Sequence, residues 1–128
     1  MNGKEKNTGA PVLLVADDDE YVRVMFRRAI ANAGWELRET DSSSGALEQV
    51  LADPTAFRAL LLDVEMPGPP VEDVIREIRE AGCNAGILIA SGMAASDRKD
   101  RLEQLVDGHF LTKPFRLQDL VRELERFK

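Results

Sequence analysis

The stretch Ala59–Gly68, read A-L-L-L-D-V-E-M-P-G, does most to limit what this chain can fold into. An unbroken apolar run of this kind suits a strand buried on both faces, as in a parallel sheet with helices above and below it. Asp63 stands where the run ends, and Met66-Pro67-Gly68 turns the chain. The C-terminal end of such a strand lies on the edge where open α/β sheets bind their ligands. Asp63 is read here as a nucleophile for a phosphoryl group. Taken alone it reads more readily as a polar residue solvating a strand end, and the remaining sequence reverses that preference.

The apolar pattern alternates between short runs and helical stripes. Val12–Ala16 reads as a first strand and ends in Asp17-Asp18-Asp19-Glu20. Val22, Met25, Phe26, Ala29, Ile30 and Ala33 then recur at helical spacing, with Asp19 as N-cap and Gly34 as the stop. Glu36–Thr40 is a more polar strand, suited to a sheet edge. Ser42, Ser43 and Ser44 offer caps for a helix burying Ala46, Leu47, Val50 and Leu51. Phe57 with Ala59–Leu62 forms the third strand. Val71, Val74, Ile75 and Ile78 mark a third helix, closed by Gly82, and Ile87–Ala90 a buried fourth strand ending at Ser91-Gly92. A weak, highly charged helix follows, capped by Ser96, with only Leu102, Leu105 and Val106 on its buried side. This makes it the element most prone to movement. Gly108 leads into a fifth strand, His109–Thr112, and a last helix buries Leu117, Leu120, Val121, Leu124 and Phe127. Five strand–helix units joined by right-handed crossovers predict a parallel sheet covered on both faces. Residues 11–128 are expected to form one domain, after a disordered tail over residues 1–10.

Composition narrows the function. The 128 residues carry a net charge of -6, which argues against direct nucleic-acid binding. Cys83 is the sole cysteine, so no intrachain disulfide forms, and a cytoplasmic location is expected. No apolar run approaches the roughly 20 residues of a membrane span. Cys83 and His109 read as idle structural residues, Trp35 as packing at the end of the first helix, and Asp19 as a cap.

The strand ends bring chemistry together. Asp17 and Asp18 follow strand one, Asp63 ends strand three, Ser91 ends strand four and Lys113 follows strand five. In a parallel sheet these positions share one edge. Three carboxylates in one cleft repel each other, so either one is protonated or a cation sits among them. An all-oxygen donor set of this kind suits Mg²⁺.

Four segments carry a family resemblance. V-A-D-D-D-E, L-L-L-D-V-E-M-P-G, I-L-I-A-S-G and F-L-T-K-P-F, in this order, resemble the four motifs of receiver domains of two-component response regulators, and the likeness runs from Val12 to Phe127. The resemblance implies a flavodoxin-like (βα)5 fold with strand order 2-1-3-4-5. It implies Asp63 as phosphoacceptor, and Mg²⁺ held by Asp18, by Asp17 through water, by Asp63 and by the backbone carbonyl of Glu65. It implies Lys113, followed by a cis bond to Pro114, and Ser91 as phosphoryl ligands, and Phe110 as the switch aromatic. Glu65 and Met93 fall where the family tunes phosphoryl lifetime. A histidine kinase or phosphotransfer protein would supply the phosphoryl group. The face formed by helix four, strand five and helix five would carry the signal to a downstream partner or a homodimer. Such a domain catalyses only its own phosphorylation and dephosphorylation.

One departure is clear. Pro69-Pro70-Val71 stand where the family often has Met-Asp-Gly, which stiffens that loop without changing its length. Two other readings compete. A haloacid-dehalogenase-like phosphatase requires a second aspartate two residues after the nucleophile, and Glu65 stands there instead. A pure interaction module would have no need of all five site residues.

Overall fold

A computed structural model of the chain describes residues 9–92, 99–107 and 109–128. Ser96, Gly108, Met93 and the first eight residues of the expected tail lie outside them. Ten elements alternate: β1 (Val12–Ala16), α1 (Glu20–Asn32), β2 (Glu36–Thr40), α2 (Ser43–Ala52), β3 (Ala59–Asp63), α3 (Val71–Glu80), β4 (Gly86–Ser91), α4 (Lys99–Leu105), β5 (Phe110–Thr112) and α5 (Leu117–Glu125). All strand pairs are parallel, in the order β2-β1-β3-β4-β5. The polar strand β2 lies at an edge, as its composition predicts.

Strand alternation sorts the core into two layers. Leu14, Ala16, Leu60, Leu62, Ile87 and Ile89 face the helices α2, α3 and α4, meeting Val50, Ile75, Ile78 and Leu102. Leu13, Val15, Leu61, Leu88 and Ala90 face α1 and α5, meeting Phe26, Ile30, Leu120 and Leu124. Every residue of β3 is buried, which accounts for its continuous apolar sequence. The registers set Ala16 beside Leu62 and Asp63 beside Ala90. The C-terminal strand ends are therefore level with one another. Among the described residues, no helix is long and apolar enough to cross a membrane.

Local chemistry sets the helix starts. The Asp19 side chain accepts the N–H groups of Tyr21 and Val22, and Ser42 accepts that of Gly45. Some expectations need correction. Met25, Leu51 and Leu105 are exposed by 41%, 46% and 39%, because each lies on the flank of its helix rather than over the sheet. Phe57 is buried but precedes β3, since the chain is still turning at Asp53–Ala56. His109 precedes β5. Of the residues expected on the last helix, Leu120 and Leu124 are fully covered and Leu117 and Val121 partly covered, while Phe127, also partly covered, lies beyond the end of α5.

The lower end of the sheet is closed by the C-terminal residues. Arg58 Nη1 donates to the Lys128 carbonyl at 2.7 Å, and Lys128 Nζ donates to the Ala33 carbonyl. The Phe127 ring lies flush against Gly86, leaving no room for a Cβ there, and meets the His109 ring edge-on at 4.8 Å between centroids. Gly86→Ala is expected to cost about 1–3 kcal/mol through overpacking. Phe127→Ala in the same chain should remove most of that extra cost. Urea denaturation of the two single variants and the double variant checks this, and additive losses would contradict it.

Candidate functional site

The upper edge collects the predicted residues. β1 carries the chain to Asp17, which is 4% exposed, and then to Asp18, which faces solvent. Asp63 closes β3 at 3% exposure and Ser91 closes β4 at 1%. Lys113 leaves β5 and precedes a cis bond to Pro114, as the resemblance implies.

Lys113 Nζ lies 2.9 Å from Asp63 Oδ2 and 3.5 Å from Asp17 Oδ2. The opposite oxygens are held by backbone: Asp63 Oδ1 accepts the Glu65 N–H at 3.1 Å, and Asp17 Oδ1 accepts the Asp19 N–H at 2.9 Å. Carboxylate oxygens of Asp17, Asp18 and Asp63 lie within 4.8 Å of one another. Three acids thus meet one base. Burial pushes the Asp63 carboxyl above its ordinary pKa, and the neighbouring Asp17 charge adds to this. The hydrogen bond and charge of Lys113, with the Glu65 N–H, offset it only in part. For Lys113, burial opposes the charge, but the bond to Asp63 and the charges of Asp63 and Asp17 outweigh it and raise the pKa.

A cluster with excess negative charge and only oxygen donors fits a hard cation such as Mg²⁺. Among the described residues, Asp17, Asp18 and Asp63 form a group of side chains that could hold it.

The remaining predicted residues divide. The Ser91 hydroxyl donates to the Gly92 carbonyl at 3.0 Å, so it borders the cluster but points along its own loop. The Lys113 N–H donates to the Ser91 carbonyl at 2.7 Å, joining the ends of β4 and β5. The exposed Glu65 side chain accepts the Gly92 N–H at 3.3 Å. Phe110 is set apart, half-buried against the core layer of α2–α4, with Lys99 Nζ 5.7 Å from its ring centre.

Comparison with known proteins agrees with this geometry. The profile of the response regulator receiver domain matches residues 13–125. The chain belongs to that family. It is a receiver domain of the two-component signalling class, with the flavodoxin-like strand order that the resemblance implies. It is 31% identical over 114 residues to the response regulator receiver protein CpdR of Brucella abortus, covering 89% of this chain and 93% of that protein. It is 33% identical to response regulator MprA of Mycobacterium ulcerans, over 88% of this chain but 47% of that protein, and so spans about half of MprA. A receiver domain structure from Clostridium thermocellum superposes with a TM-score of 0.83 at 21% identity, covering 91% and 93% of the two chains.

Two supporting residues of this receiver domain escape sequence reasoning. Arg23 Nη1 donates to the Asp17 carbonyl at 2.6 Å while its Nε pairs with Glu39 at 3.2 Å, tying the acidic loop to β2. Ser43 is buried at the start of α2, and its hydroxyl donates to the carbonyls of Pro69 at 2.6 Å and Pro67 at 3.2 Å. It anchors the loop after Asp63. Gly68 packs onto this serine at φ 114, a conformation and a closeness that suit glycine. Arg23 resembles any arginine on a helix flank, and Ser43 is one of three adjacent serines, so neither carries a sequence signal.

Asp63 binds its proton more tightly folded than unfolded, so ionising it weakens the fold. Its contribution is most favourable below the ordinary carboxylate pKa and falls as pH rises through the raised value. In chelator-treated protein, Asp63→Asn should therefore raise the melting temperature near neutral pH, and the gain should shrink towards about pH 4. A gain that grows on acidification would contradict this.

Proposed function

We propose that Asp63 accepts a phosphoryl group from a histidine kinase or phosphotransfer protein, in a Mg²⁺-dependent reaction, and that the modified domain signals to a downstream partner. The observation that carries this reading is the contact of Lys113 Nζ with Asp63 Oδ2 at 2.9 Å, with Asp17 and Asp18 alongside. Phosphoryl transfer requires in-line positioning and fixed positive charge around spreading negative charge, and little other chemistry from the protein.

In this reading an Asp63 oxygen attacks phosphorus while the bond to the donor's leaving atom breaks. Lys113 neutralises a phosphoryl oxygen, and a Mg²⁺ ion bound by the acid cluster would supply further positive charge there. Asp18, Asp17, Asp63 and the backbone carbonyl of Glu65 are the groups that would hold Mg²⁺. The Ser91 hydroxyl exchanges the Gly92 carbonyl for a phosphoryl oxygen, and Phe110 turns inward in response. That rotation alters the face formed by α4, β5 and α5, where the partner or a second copy would bind. Glu65 and Met93 govern how long the phosphoryl group survives.

The surface beside the site suits an incoming protein donor. Tyr21, Val24 and Met25 are exposed by 73%, 46% and 41% along α1. A groove of about 490 Å³ lined by Val22, Met25, Phe26, Pro114 and Phe115 reaches Lys113. In this reading the apolar groove would receive part of the donor protein beside Lys113.

Incubation with acetyl phosphate and Mg²⁺ should add the mass of one phosphoryl group to the wild type and none to Asp63→Asn, as read by intact-protein mass spectrometry. A gain that survives the substitution would move the acceptor elsewhere. Asp18→Asn should weaken Mg²⁺ binding by on the order of tenfold, about 1.4 kcal/mol, in a metal titration.

A further inference from the structure

Glu65 touches both loops that border Asp63. Its N–H donates to Asp63 Oδ1 at 3.1 Å, and its side-chain Oε1 accepts the Gly92 N–H at 3.3 Å. The peptide linking Ser91 to Gly92 is thereby held from two sides. Its carbonyl accepts the Lys113 N–H at 2.7 Å, and its N–H is taken by Glu65. A Cβ added at Gly92 would lie 3.5 and 3.8 Å from the two Glu65 carboxylate oxygens, so the carboxylate lies close over this backbone.

We propose that the Glu65 carboxylate is an internal competitor for the phosphoryl group, occupying the Gly92 N–H until a phosphoryl group on Asp63 displaces it. This rests on the reading of Asp63 as phosphoacceptor. To a backbone N–H, a carboxylate oxygen and a phosphoryl oxygen are acceptors of the same class. A phosphoryl group on Asp63 would bring further negative charge to a residue only two positions from Glu65, and the like charges repel. Glu65 is solvent-exposed, so its release leaves no buried charge behind. While it holds the N–H it favours the unmodified state, by the net worth of one hydrogen bond to a charged group tempered by solvent.

The test is a beryllofluoride titration in excess Mg²⁺, followed through backbone amide resonances, on the wild type, Glu65→Ala and Glu65→Gln. Without titrant, the Gly92 amide resonance should move in Glu65→Ala. Beryllofluoride should bind Glu65→Ala about two- to tenfold more tightly than the wild type. The gain in Glu65→Gln should be smaller, because glutamine keeps an acceptor oxygen. Equal gains in both variants would assign the effect to charge at a distance and overturn the proposal, as would no gain in Glu65→Ala. A wild type that ignores beryllofluoride would overturn the phosphoacceptor reading itself, whereas a responsive wild type with an unchanged Glu65→Ala removes only the competitor.

Discussion

One ammonium group, Lys113 Nζ, stands between two buried carboxylates, and much of the upper edge is arranged to keep it there. A buried charge without a partner costs several kcal/mol, so the site persists only where its surroundings are held in place. Each side chain is fixed through the backbone near it. The Asp17 carbonyl is held by Arg23, the loop after Asp63 by Ser43, and the end of β4 by the Lys113 N–H. Even so, the negative charges outnumber the positive one. Asp63 retains its proton above the ordinary range, and the cluster is suited to cations and to groups that arrive with them.

Support for this edge is uneven. β3 is buried throughout, α1 and α5 press on one face, and the Phe26 ring of α1 stacks 6.1 Å from that of Phe115, in the segment leading into α5. On the other face, among the described residues, α4 spans Lys99–Leu105 and buries Leu102. Local stability follows buried apolar contact, so the elements that hold the acid cluster are firm, while α4 adds less buried apolar surface.

The fold was almost fully legible because its signals are strong. Continuous apolar runs at Leu60–Leu62 and Ile87–Ala90, too short for helices and followed by turn residues, read as central strands between helices, and the stripe Val71, Val74, Ile75, Ile78 is fully buried in α3. The errors fall where an apolar residue lies on a helix flank, as at Met25, Leu51 and Leu105, because a stripe's width depends on how each helix leans on the sheet. Convergence of Asp17, Asp18, Asp63 and Lys113 followed from topology alone, since parallel strands share an edge. What sequence could not convey is side-chain direction. The turn of the Ser91 hydroxyl towards Gly92, the reach of Glu65 to the same residue and the burial of Ser43 all depend on torsions and loop paths.

The register between β1 and β3, with Ala16 beside Leu62, acts as a ruler for the whole edge. Alternation along a strand has a period of two, so one residue inserted into β1 would either exchange its two core layers or slide the Asp17 carboxylate out of step with Asp63. The spacing of the acid cluster is thus enforced by the greasy interior beneath it rather than by the charges themselves. Variation in such chains should find loops and helix flanks permissive, while the length of these two inner strands stays closed to change.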